Sequence, residues 1–216
     1  MVADAGTATF AARPTCYRCF RPAAMCLCAA IRPVDNRCHV TVLQHPRERA
    51  HPFSTVRFVR LGLCNAAVHV ARTVGGRELC CPLTPRPRAG LLFPSASAAV
   101  LDEAGADQLP ASLIVLDGTW SHARRLYYAN PWLAELPHFR LAAAAPSRYR
   151  IRRQPAAHCL STIEAVVRAL AVLEPDTPGL GRLLDGFEAM VEGQLHIAAG
   201  RPSPRTRRRS QSAGDY

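Results

Sequence analysis

Four apolar residues in a row, Leu113-Ile-Val-Leu116, predict a strand buried on both faces, and Asp117-Gly118 ends it with turn chemistry. Thr119 then caps a helix running to about Tyr128. Upstream, the apolar and small residues from Cys38 to Leu43 predict a first strand, and Ser54 caps a helix whose apolar positions Val56, Val59, Leu63, Ala67 and Val70 recur at three or four residues. Leu91-Leu92-Phe93 predicts a further buried strand, broken by Pro94, with Ser95 capping a helix through about Glu103. A short strand follows around Phe139 to Leu141. In the segment Ser147 to Pro155, Arg148, Arg150 and Arg152 alternate with Tyr149 and Ile151, so an extended backbone would put three guanidiniums on one face. Ile163, Val166, Leu170 and Leu173 share a helix face opened by the capping box Ser161-x-x-Glu164. Pro175 and Pro178 end that helix, and Gly179 begins another through about Ala198. Strands and helices thus alternate as in α/β chains, and Asp117 lies where open α/β sheets place their ligands: the carboxyl end of a buried strand, beside helix N-terminal amides.

A length of 216 residues suits one domain with a small appendage, and 49% hydrophobic residues make it globular. No run reaches the ~18 apolar residues of a membrane span, and Met1 to Thr15 lacks the charged start and apolar centre of a signal peptide. A cytoplasmic protein is expected. Lysine and arginine number 27 against 16 acidic residues, a net charge of +11 carried almost wholly by arginine. A polyanion partner follows, and nucleic acid leads over a membrane surface because no basic amphipathic helix offers a bulky face to insert. Gln44 to Pro52 reads as an exposed, stiff, basic loop, in which His45, Arg47 and Arg49 would face RNA together with Arg148, Arg150 and Arg152. Residues 201–216 form a basic tail expected to be disordered, able to add counterion-release affinity without sequence choice.

Nine cysteines in a reducing compartment read as metal ligands or buried thiols rather than disulfides. Cys16-x-x-Cys19 followed by Cys26-x-Cys28 can close a tetrahedral thiolate site, and zinc is the expected ion. Cys38, Cys64, Cys80, Cys81 and Cys159 lie in apolar surroundings and read as core.

Two readings compete for Asp117-Gly118-Thr119. Haloacid-dehalogenase-type phosphatases carry Asp-x-Asp-Gly-Thr, but Val115 stands where their nucleophile would be, so that chemistry is lost. Gly75-Gly76 is a turn, and no Gly-x-Gly-x-x-Gly follows a strand, so an ordinary dinucleotide site is unsupported. Taken in order, the cysteine cluster, Gln44-His45-Pro46-Arg47-Glu48, Leu92-Phe93-Pro94-Ser95, Asp117-Gly118-Thr119-Trp120, Ser147-Arg148-Tyr149-Arg150-Ile151-Arg152 and Ser161-Thr162-Ile163-Glu164-Ala165 resemble the DTW-domain family. Phe93 stands where that family often has Tyr, and Val56 where it often has Gly. Neither change removes a reacting group.

The resemblance implies tRNA-uridine aminocarboxypropyl transfer: the 3-amino-3-carboxypropyl group of S-adenosyl-L-methionine moves to N3 of a tRNA uridine and methylthioadenosine is released. It further implies a knotted, SPOUT-like α/β fold, a parallel sheet flanked by helices. The chain would comprise a cysteine-rich zinc knuckle at residues 14–34, a catalytic domain at 35–200 and the tail. Carried over by position, the cofactor pocket would be walled by Leu92, Phe93, Pro94 and Ser95, by Leu116, Gly118, Thr119 and Trp120, and by Ser161, Thr162 and Glu164. Uridine N3 is protonated at neutral pH, so a nearby carboxylate is a sensible base, and Asp117 is the candidate. Zinc would be structural. Two other classes remain open at this point, a SPOUT-like RNA methyltransferase and a non-catalytic zinc-knuckle RNA-binding protein.

Overall fold

A computed structural model describes residues 14–74, 78–81, 83–142, 146–151 and 159–200. In chain order these form β1 (His39–Gln44), the single turn α1 (Pro46–Arg49), α2 (Val56–Gly62), β2 (Ala66–Val70), β3 (Arg72–Val74), β4 (Glu78–Cys80), β5 (Ala89–Leu92), β6 (Ala99–Val100), β7 (Ser112–Asp117), α3 (Trp120–Ala129), β8 (His138–Arg140), α4 (Thr162–Leu173) and α5 (Arg182–Ala199). Six strands make one parallel sheet in the order β2-β1-β7-β5-β8-β6, with β3 and β4 pairing separately as an antiparallel ribbon. Helices cover both faces, so the chain is an α/β protein with a six-stranded parallel sheet flanked by helices.

The apolar run in β7 behaves as strand periodicity dictates. Leu113 and Val115 join the core made with Val56, Phe58, Ile163, Val166, Leu170 and Phe187 of α2, α4 and α5. Ile114 points the other way, into a second core with Leu43, Leu91, Leu126 and Leu133. By the same alternation Asp117 emerges at the strand end on the α4 side. β1 is registered so that Gln44 lies opposite Asp117. The capping box of α4 is formed, with Glu164 accepting from the Ser161 amide at 2.8 Å and the Ser161 hydroxyl at 2.6 Å.

Five expectations are corrected. The helix after Ser54 stops at Gly62, and Ala67 and Val70 belong to edge strand β2. A Cβ at Gly62 would meet Leu183 Cδ2 at 2.3 Å, so α5 packs directly on the backbone there. Beyond it, the β-branched Val68 and Val70 fit the pleat beside β1 better than a further helical turn. Ser54 also does not cap α2; its hydroxyl accepts from Gln44 Nε2 at 3.3 Å. Ser95 starts no α-helix either. His138 Nε2 lies 3.0 Å from the Leu133 carbonyl, which can only accept, so Nδ1 is left to accept from Ser95 Oγ at 2.7 Å. Residues 99–100 then pair with β8 as β6.

The stretch after Gln44 is a capped helical turn rather than an exposed loop: Arg47 and Arg49 face solvent, but Gln44, His45 and Glu48 are buried. Finally, residues 147–151 turn instead of extending. The Arg150 amide donates to the Arg148 carbonyl, buried Tyr149 donates to the Phe53 carbonyl at 2.6 Å, and Ser147 Oγ and the Arg148 amide both donate to Glu164. Of the cysteines expected in the core, Cys38 and Cys81 are buried, Cys159 is half-buried and Cys64 is exposed. Gly75, Gly76, Arg152, the side chain of Cys80 and the tail 201–216 lie outside the described residues.

Candidate active site and metal centre

Three segments far apart in sequence meet at the carboxyl ends of β5, β7 and β8 and enclose a cavity of about 440 Å³. Leu92, Phe93 and Pro94 form one wall and Leu116 to Trp120 a second; Leu160, Ser161 and Thr162 at the start of α4 form the third. Two of the expected wall residues stand elsewhere. Ser95 is drawn to His138, and both oxygens of Glu164 are occupied by Ser161, Ser147 and the Arg148 amide. Sequence reasoning missed Glu48, Thr55, Arg140, Tyr149 and Cys159, which also line the cavity. Arg140, at the end of β8, is exposed and gives the cavity a guanidinium.

Asp117 is 6% exposed, yet its carboxylate reaches the cavity wall. Thr162 Oγ1 donates to Oδ1 at 2.6 Å, and Gln44 Nε2 donates to Oδ2 at 3.0 Å. Neutral donors on both oxygens fix the carboxylate's orientation. The chain turns sharply just beyond. Thr119 caps α3 by accepting from the His122 amide at 3.2 Å, and a Cβ at Gly118 would meet His122 Cβ at 2.6 Å, so no larger residue fits between strand and helix. Trp120, 39% exposed, spans the cavity rim, where its Nε1 lies 3.1 Å from Cys159 Sγ. Phe93 stacks on Tyr127 with ring centroids 4.8 Å apart. The cavity therefore joins an apolar, aromatic side to a polar floor.

Beneath this floor, His45 and His122 stack face to face at 3.8 Å, and His122 Nδ1 lies 3.4 Å from Glu48 Oε1. Burial, reinforced by the neighbouring His122 and Arg125, lowers the His45 pKa to about 4. Its Nδ1 accepts the Arg47 amide at 3.2 Å, as a neutral ring does. His45 is thus a buried stacking residue and not part of a basic surface. The unfolded chain takes up this proton near pH 6.5 and the folded chain only near pH 4, so stability should fall as pH drops across that window. Denaturant titrations from pH 7 to pH 4 should show His45→Gln with a shallower decline than wild type; parallel curves would contradict the assignment. Arg148 and Arg150, expected on an RNA-facing strand, are exposed and ion-paired with Glu188 and Glu192 of α5.

The N-terminal cysteines form a donor set for a metal. The Sγ atoms of Cys16, Cys19, Cys26 and Cys28 all lie within 4.8 Å of one another, with Cys16–Cys28 at 3.7 Å and Cys19–Cys26 at 3.8 Å. A tetrahedron with metal–sulfur bonds of about 2.3 Å has edges of about 3.8 Å, so the cluster could hold an ion with little movement. Amides of Cys19 and Arg18 lower the Cys16 pKa to about 6, whereas burial and the neighbouring sulfurs push Cys28 up to about 12. Full ionisation of such a set needs a cation at its centre. Arg21 supports the same reading from outside the cluster. It is 3% exposed, and its Nε and Nη1 find no hydrogen-bond acceptor among the described residues. Burial lowers its pKa while the charge on Cys19 opposes that shift. A metal-bound thiolate at Cys19 would give that buried guanidinium a counter-charge.

The family model for the DTW domain matches residues 13–195. The chain is 33% identical over 195 residues to tRNA-uridine aminocarboxypropyltransferase 2 of Mus musculus, an alignment covering 87% of this chain and 65% of that protein. It is 33% identical over 169 residues to the Drosophila melanogaster protein of the same name, covering 75% of this chain and 67% of the relative. With tRNA-uridine aminocarboxypropyltransferase A of Arabidopsis thaliana it shares 29% identity over 232 residues, covering 89% and 86%. The alignment to the mouse relative thus spans about two thirds of that protein's length. No solved structure matches the chain. The extent of the family match, across the cysteine cluster and all three cavity walls, shows that this chain belongs to the DTW domain family.

Proposed function

We propose that this protein transfers the 3-amino-3-carboxypropyl group of S-adenosyl-L-methionine to N3 of a uridine in tRNA. The observation that carries the reading is the fixed carboxylate of Asp117 at the floor of the cavity, in a chain of this family. A volume of about 440 Å³ falls within the ~300–1,000 Å³ of small-molecule sites. Phe93 and Trp120 offer apolar surface to an adenine, and Arg140 suits the methionine carboxylate. The same reading has a knotted, SPOUT-like cofactor site walled by residues 92–94, 116–120 and 160–162, with zinc at the knuckle of residues 14–34, the catalytic domain at 35–200 and the tail at 201–216. tRNA is the partner, and the cytoplasm, where a thiolate cluster is kept reduced, the place of action.

In this reading the sulfonium supplies an electrophilic γ-carbon. Gln44 and Thr162 hold the Asp117 carboxylate, which takes the N3 proton of the uracil. The N3–carbon bond forms as the carbon–sulfur bond breaks, and its electron pair leaves on sulfur as the neutral thioether of methylthioadenosine. Position and charge are the protein's contributions. Incubating a tRNA transcript with the co-substrate labelled separately in its methyl and carboxypropyl carbons tests the proposal. Carboxypropyl label should enter the RNA and methyl label should not. Methyl label in the RNA would make the protein a methyltransferase, and neither label, with RNA bound, a binding protein.

Arg140→Ala should raise KM for S-adenosyl-L-methionine by about 10- to 100-fold, since a charge-assisted hydrogen bond contributes about 1.5–3 kcal/mol. The KM for tRNA should change little. A steady-state comparison in which KM for the co-substrate stays within twofold would move the carboxylate to another partner.

A further inference from the structure

Helix α3 begins at the cavity rim and leads away from it. Its sequence, Trp120-Ser-His-Ala-Arg124-Arg125-Leu-Tyr-Tyr128-Ala129, contains no acidic residue. Ala123 and Leu126 are buried, whereas Trp120, Ser121, Arg124, Arg125 and Tyr128 face outward. Trp120, Arg124 and Tyr128 are spaced four apart, so they form one continuous stripe on an α-helix. From Trp120 to Tyr128 the rise is about 12 Å at about 1.5 Å per residue. Tyr128 is 69% exposed, with the Tyr127 ring edge-on to it at 5.3 Å. Two exposed aromatic groups, Trp120 and Tyr128, thus flank the exposed Arg124 and Arg125 along a face that starts at the cavity.

We propose that this outer face of α3 is a track for single-stranded RNA flanking the nucleotide that enters the cavity. Bases stack on Tyr128 and on the outer face of Trp120, and Arg124 and Arg125 meet the phosphates between them. Two features argue for this occupant. The face offers positive charge alternating with π-surfaces, the combination that binds unpaired nucleic acid whatever its sequence. It is also continuous with the candidate site through Trp120, which lines the cavity and opens the stripe. The assignment rests on the proposed RNA substrate and adds where that substrate lies outside the cavity.

The test uses the full chain with an unmodified tRNA transcript and a short single-stranded oligoribonucleotide, measured by filter binding at fixed salt. Tyr128→Ala should weaken both complexes by about 5- to 100-fold, the range expected for loss of one base–aromatic stack. Tyr128→Phe should bind as wild type does, because the ring is retained. Arg124→Gln should lower the logarithmic salt slope by about 0.7, one phosphate contact on a single strand. Affinity for S-adenosyl-L-methionine should stay within twofold in all three variants. If Tyr128→Ala binds both RNAs as wild type does while carboxypropyl transfer proceeds, the track is wrong and the proposed activity stands. If Tyr128→Phe loses as much as Tyr128→Ala, the hydroxyl and not stacking makes the contact, and the track is again overturned. If the wild-type protein binds neither RNA, the track and the proposed activity fall together.

Discussion

Asp117→Asn should retain binding of S-adenosyl-L-methionine and tRNA but transfer the carboxypropyl group about 100- to 10,000-fold more slowly. The surroundings of Asp117 make this substitution interpretable. Both carboxylate oxygens accept, from Thr162 and from Gln44. Asparagine keeps one acceptor, which can still serve the Gln44 amide, while its NH₂ can turn to the Thr162 hydroxyl, which is able to accept. Shape and hydrogen bonding therefore survive, and what disappears is a group able to take a proton. Single-turnover rates with saturating substrates, alongside equilibrium binding of each substrate, separate the effects. Near-wild-type transfer by a folded variant would reduce Asp117 to a turn-capping residue. Loss of co-substrate binding with an unchanged chemical step would make it a binding group.

Much of this geometry is legible in the chain because it is local. The run Leu113 to Leu116, the Asp-Gly turn, the Thr119 cap and the Ser161-x-x-Glu164 box each depend on residues a few positions apart, and each forms as the spacing demands. The cysteine set is equally local, with all four thiols within thirteen residues. What escaped the sequence depends on residues that meet only after folding. Nothing near Glu48 announces His122, seventy-four positions away, and nothing near Arg140 announces the loop after β5. The helix expected through Val70 failed for a related reason. Its periodicity continued past Gly62, but pairing with β1 claimed the following residues for the sheet. The surroundings of Arg148 and Arg150 were not legible either. Nothing in the arginine-dense segment announces the carboxylates of α5, 40 and 42 positions downstream, that pair with it.

Replacing Cys16 and Cys19 together with Ser should release bound metal and lower stability by about 3–5 kcal/mol, a large part of the ~5–15 kcal/mol that holds a domain together. The wild-type protein should carry one metal ion per chain, with zinc the expected element. Part of the loss is the metal–thiolate bonding itself. The remainder comes from Arg21, which is buried, whose charge interacts with Cys19, and whose Nε and Nη1 find no hydrogen-bond acceptor among the described residues. With the thiolates gone, that positive charge is left buried and uncompensated. Arg21→Met tests this because it keeps an unbranched, space-filling side chain and removes the charge. Alone, it should destabilise the metal-loaded protein, since the thiolate cluster then lacks its counter-charge. Added to the double serine variant, it should restore part of the lost stability, so the two changes should be strongly non-additive in denaturant unfolding. Simple additivity would mean that Arg21 and the cluster do not interact. Wild-type protein that is folded and free of zinc and iron by elemental analysis would dismiss the metal centre itself, whatever the cycle gives.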